Sequence, residues 1–202
     1  MINYNQLTIK QFLKCKMIAD TETDPVLRNL KLLAEIENTT LDAVESLPIG
    51  EVVKKLEGLS NIETLQQDAK IKLKFSIGGK KYIIKWKEQD LTSAQYIDVS
   101  HFCKEPEKII FNIHNILASL AVERTWYGKE LKYDGSKHKE RANLFYNDMK
   151  IETAYPIMLF FCRYYKELIE NILTYLEGEA LVAMKKVSDF MKSGDGLQPS
   201  TA

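Results

Sequence analysis

The sequence predicts an α+β fold, mainly α-helical, a helical bundle with one antiparallel β-hairpin inserted at about 70–87. Three observations carry that expectation. Apolar residues recur at helical spacing along most of the chain, as helices burying one face require. A single stretch around Gly78-Gly79 instead alternates, as strands do. Charge leans acidic over the first 67 residues, whereas 70–87 holds seven lysines and no carboxylate.

Taken in order, Leu7, Phe12, Leu13 and Met17-Ile18 follow Thr8, an N-cap type, so a helix is expected over about 8–20. Asp24-Pro25 opens a second helix, with Pro25 where a missing N–H costs nothing; Leu27, Leu30, Leu33 and Ala34 line one side, and Asn38 ends it. Thr40 and Pro48 start short helices over 40–46 and 48–57, their buried side made of Leu41, Val44, Leu47, Val52, Val53 and Leu56. The first 67 residues read as an N-terminal helical module, 68–192 as a hairpin plus helical core, and 193–202 as a polar tail of disordered composition.

Double glycine tolerates the positive φ of a primed turn. Placing the turn at Gly78-Gly79 pairs Ile77 with Lys80, Phe75 with Tyr82, Leu73 with Ile84 and Ile71 with Trp86. The other face then carries Lys72, Lys74, Ser76, Lys81, Ile83 and Lys85. A two-stranded ribbon is marginal in water, so Phe75, Tyr82 and Trp86 require cover.

Thr92 or Ser93 caps a helix to about 103. Glu105-Pro106-Glu107 opens another to about Val122, with Ile109, Ile110, Ile113, Ile116, Leu117 and Leu120 as its buried stripe. The stretch 126–136 reads as an ordered loop whose Trp126, Tyr127 and Tyr133 need packing partners. Helices at about 136–148 and 152–176 follow, then one to about 192 after Gly178; the stripe from Phe160 to Tyr175 reads as core, with part available as a subunit interface.

At 202 residues and 23.3 kDa the chain can bury a sizeable core without staples. The 28 basic and 28 acidic residues cancel, so any basic effect must be local. Cys15, Cys103 and Cys162 suit reduced thiols rather than a disulfide framework. The opening lacks a signal peptide's apolar stretch. The longest apolar run, 157–162, is far below the roughly 20 residues a membrane span needs.

Chemical motifs are sparse. His101, His114 and His138 fall on different elements without Cys or carboxylate at ligand spacing, so no metal is expected. Gly78-Gly79 lacks the context of a phosphate-binding loop, and no cofactor is expected. Cys103 and His101, two residues apart, face different directions. Asp98 and Asp134 fit cap and turn roles better than general-base roles. With no nucleophile-base pair, no enzymatic activity is expected. The candidate interaction face is Lys72, Lys74, Lys81, Lys85, Trp126 and Tyr127. Lysines that block strand addition at an edge are the reading favoured here; a weak, salt-sensitive DNA contact is the other.

The opening Leu7-Thr8-Ile9-Lys10-Gln11-Phe12-Leu13, the step Leu47-Pro48-Ile49-Gly50-Glu51, the glycine-turned hairpin and Thr92-Ser93-Ala94-Gln95-Tyr96-Ile97-Asp98 together resemble proteins of tailed phages infecting Bacteroidetes. Ile116-Leu117-Ala118, Tyr133-Asp134-Gly135 and Phe160-Phe161 continue the likeness. It implies a virion structural protein, a ring or collar subunit under the portal of crAss-like phages, or else a tail assembly chaperone or an internal cargo protein ejected with the genome. The implied partners are further copies in a cyclic ring, portal and other tail proteins, and possible non-specific DNA, with no membrane. The implied location is the virion, after synthesis in the host cytoplasm.

Overall fold

The structure is a computed structural model that describes residues 6–57, 71–105, 108–161 and 164. Its elements are α1 (Ile9–Thr21), α2 (Pro25–Glu37), α3 (Leu41–Glu45), α4 (Ile49–Glu57), β1 (Lys74–Ile77), β2 (Lys80–Ile84), α5 (Ser93–Phe102), α6 (Ile113–Leu120), β3 (Ala121–Arg124) and α7 (His138–Asp148). The chain is helical again from 151. The fold is therefore mainly helical with a small antiparallel sheet of order β1-β2-β3. Two compact units divide at Phe160 and Phe161; of the second, only Phe161 and Tyr164 are described. The composition boundaries at 67/68 and 192/193, and the helices expected beyond 164, lie outside the described residues.

Helix starts follow local chemistry. Thr8 and Thr92 each form a capping box, with Gln11 and Gln95 reaching back. The Asp24 carboxylate accepts from the Val26 and Leu27 N–H groups with Pro25 in the first turn, and Asn38 closes α2 at φ 53°. Thr40 accepts from the Ala43 N–H to start α3. Leu33, Ala34, Val44 and Val52 then form one buried cluster, edged by Leu30, Leu47 and Leu56. Val53, expected in that cluster, is exposed instead: Val52 fills the core position of α4, and its neighbour points away.

The hairpin keeps the expected register, with Phe75 opposite Tyr82 and Ile77 opposite Lys80. Gly78 and Gly79 have φ 56° and 72°. The Ile84 N–H donates to the Leu73 carbonyl at 2.8 Å, extending the pairing by one step. It stops there: the expected Ile71–Trp86 pair does not form. The Lys85 N–H turns to the Leu120 carbonyl, and Trp86 meets Phe160 edge-on at 4.9 Å. The buried face packs on α7, where the fully buried Phe145 lies 5.6 Å from Phe75 and 5.1 Å from Tyr82.

The helix expected to reach Val122 is shorter. Residues 109–112 form turns, α6 ends at Leu120, and the chain then becomes β3, paired with β2 from Ile84–Ala121 to Lys81–Arg124. Pairing with the otherwise open edge of β2 satisfies backbone groups that the two-stranded ribbon leaves bare, and this outweighs helical continuation. Ile113, Ile116, Leu117 and Leu120 are buried as expected, whereas Ile109 and Ile110 are half-buried. Near the start of the chain, the Ile9 N–H donates to the Met149 carbonyl and the Ile151 N–H to the Leu7 carbonyl, tying α1 to the end of α7.

Candidate functional site

Because opposed residues of an antiparallel sheet project to one side, the register places Ser76, Lys81 and Arg124 in a row across all three strands. Lys74 lies on the same face one step along, diagonal to Lys81. Lys74, Ser76 and Lys81 are exposed.

β3 turns back on itself just after this row. The Gly128 N–H donates to the Thr125 carbonyl (2.9 Å) and the Thr125 N–H to the Lys129 carbonyl (2.8 Å), while the Leu131 N–H reaches the Glu123 carbonyl (2.9 Å). Gly128, at φ 94°, provides the left-handed residue that closes such a three-residue tip. Arg124 braces it from below, Nε and Nη2 both donating to the Gly128 carbonyl at 3.1 and 2.9 Å. Trp126 and Tyr127 occupy the apex, 84% and 63% exposed, with rings edge-to-face at 5.4 Å. The Lys81 ammonium donates to the Trp126 carbonyl at 3.4 Å, so the aromatic apex and the basic face adjoin.

Of the six residues singled out from sequence, Lys74, Lys81, Trp126 and Tyr127 thus form one surface. Lys72 precedes β1, exposed and outside the ladder. Lys85 is half-buried and ion-paired with Glu130 at 2.6 Å, which neutralises it. Among the described residues Lys72, Lys74 and Lys81 make no ion pair. Among the described residues Trp126 and Tyr127 meet each other but not the core packing expected for them, while Tyr133 has it: its hydroxyl donates to Asp98 Oδ2 at 2.7 Å and its ring lies 4.9 Å from the Arg141 guanidinium. Burial first, then the Asp98 bond, pushes the Tyr133 phenol up to about 12. Arg141 in turn donates through Nε to the Ala118 carbonyl at 2.7 Å, so the loop behind the tip is anchored to α5, α6 and α7.

The three histidines do not converge. His138 Nε2 lies 3.0 Å from Ser119 Oγ and 3.1 Å from the Asn115 carbonyl, with its ring stacked on Phe102. Ser119 is fully buried and its hydroxyl donates to the same Asn115 carbonyl, a structural bond rather than a poised nucleophile. His114 packs against Tyr146; its Nδ1 is buried with no hydrogen-bond partner among the described residues, and burial, aided by His138, pulls its pKa down to about 4. Among the described residues no three His, Cys, Asp or Glu side chains gather as metal ligands. Burial pushes the Cys15 thiol up to about 12, far from thiolate. Asp134 plays its expected turn role, accepting from the Ser136 N–H and hydroxyl, whereas Asp98 departs from its expected cap role to hold Tyr133. A shallow cleft of about 570 Å³ lies between α5 and the start of α7, bordered by Ile97, His101, His138 and Lys139.

Sequence reasoning missed Arg124, because a helix reaching Val122 would have removed it from the sheet. The signal present was the Thr125–Lys129 segment, with Gly128 placed to close a second hairpin. Comparisons with family models, curated proteins and solved structures found no match. Among the described residues no helix is long and apolar enough to cross a membrane.

Proposed function

We propose that this chain is a structural, non-catalytic protein of a tailed phage virion, a ring or connector subunit at the portal-tail junction. Copies would bind one another in a closed cyclic array and present the lysine and aromatic face to what the ring surrounds. The observation that carries this reading is the braced tip: Arg124 fixes a turn that holds Trp126 84% exposed beside Lys81. A large ring held rigidly in water favours a binding surface over packing or flexibility. The virion setting is supported by the sequence resemblance, and self-association by the bare apolar pair Ile49 and Val53, one turn apart on α4.

That same pair supports a second reading, a tail assembly chaperone holding an apolar helical segment of another tail protein. Cryo-electron microscopy of intact particles separates the two. A closed ring of this fold between portal and tail supports the proposal. Particles without it, together with co-purification on a tail protein before assembly, would replace it with the chaperone.

A further inference from the structure

Edge protection accounts for Lys74, on the outer strand β1, but not for the whole of this face. Lysines that discourage strand addition belong on an open edge, yet Lys81 lies on β2, whose two edges are both paired. Directly opposite it, on the same side, stands Arg124, and Lys74 is diagonal. Like charges placed opposite one another weaken a sheet, and no carboxylate among the described residues pairs with Lys74 or Lys81. On the other face of the same sheet the opposite arrangement holds, with Lys80 between Glu123 and Glu140, each at 3.6 Å. On the lysine side Glu130 stands opposite Arg124 and pairs with Lys85 at 2.6 Å, which leaves Lys74 and Lys81 without a carboxylate among the described residues, beside two exposed aromatic rings.

We infer that this face binds a single-stranded polynucleotide, Lys74 and Lys81 taking backbone phosphates and Trp126 and Tyr127 stacking on unpaired bases. The inference rests on the reading of this face as the working surface and names its occupant. Lys74 and Lys81, unpaired among the described residues, set a polyanion as the complementary partner, and exposed rings on a braced turn add what a phosphate chain alone does not use, namely a platform for bases. A duplex keeps its bases stacked internally and would leave both rings idle. Arg124 acts as a positioning residue, since its guanidinium is bonded to the Gly128 carbonyl.

The test uses the full chain and an end-labelled oligothymidylate of about 16 nucleotides, followed by anisotropy across a salt series. The expected result is binding that weakens with salt. Trp126→Ala and Tyr127→Ala should each raise Kd about 10-fold without changing the salt slope. Lys74→Gln and Lys81→Gln should each reduce that slope by about 0.7. Arg124→Lys should weaken binding while Trp126 fluorescence, read in a Trp86→Phe background because the chain has two tryptophans, changes in the free protein. Equal affinity for a duplex of the same length, or no effect of Trp126→Ala, would overturn the inference. Displacement by polyglutamate at equal charge concentration would assign the face to an acidic protein. None of these outcomes bears on whether the chain forms a ring, which particle density decides separately.

Discussion

The two turn glycines look alike in sequence and should respond differently to the same change. Both lie in the left-handed region, so alanine at either position costs about 1 kcal/mol of backbone strain. A Cβ on Gly79 meets nothing within 4 Å, whereas a Cβ on Gly78 would lie 2.9 Å from Leu144 Cδ1 and 3.2 Å from Cδ2. Leu144 is half-buried on α7 and can yield, which puts the added overpacking cost at about 1 kcal/mol. Gly79→Ala should therefore lower Tm by about 3 °C and Gly78→Ala by about 6 °C in a chain of this size. Urea unfolding followed by circular dichroism would supply the free energies. In the Leu144→Ala background the excess at Gly78 should vanish, leaving the two glycine variants equal. Equal losses in the wild-type background would show that the turn does not seat against α7, and the packing of the hairpin on that helix would be wrong.

Other expectations follow from the core and its polar contacts. Phe145→Ala removes a fully buried ring touching Phe75 and Tyr82 and should cost about 3–5 kcal/mol by denaturant unfolding. Tyr133→Phe deletes the bond to Asp98 and should cost about 1.5 kcal/mol, with the loop from 129 to 134 gaining amide exchange first. His114 titrates at about 4 when folded against its ordinary 6.5, so the unfolded chain binds the extra proton between those values. Its contribution is full above pH 6.5 and is lost as pH falls toward 4, a drop of about 3 kcal/mol in full and about 2 after screening of a half-buried ring. His114→Leu should flatten that part of the stability profile; an unchanged profile would exclude His114 as its source. Trp126→Ala, at an exposed apex, should alter stability by no more than about 0.5 kcal/mol in the same unfolding assay.

Local chemistry was the legible part of this sequence. Thr8, Asp24, Thr40 and Thr92 cap where they were expected to, because a short polar side chain before an apolar repeat satisfies nearby N–H groups whatever the rest of the chain does. Gly78-Gly79 set the hairpin register for the same reason. What could not be read was anything decided across long separations. Ile116-Leu117-Ala118-Ser119-Leu120-Ala121-Val122 is apolar enough for either a helix or a buried strand, and only the open edge of β2, some 40 residues earlier, selects a strand from Ala121 onward. Lys81 and Arg124 were both visible as residues, but their opposition required that pairing. Trp126 and Tyr127 read in sequence as rings in need of cover, and the three-residue tip that Gly128 closes leaves them exposed instead.

The central claim is tested most directly by quantitative mass spectrometry of density-purified particles, taking the copy number of this chain against that of the portal protein. A ring or connector subunit predicts a fixed ratio of about one or two per portal subunit in every preparation. Absence from mature particles, or a count that varies between preparations, would contradict it.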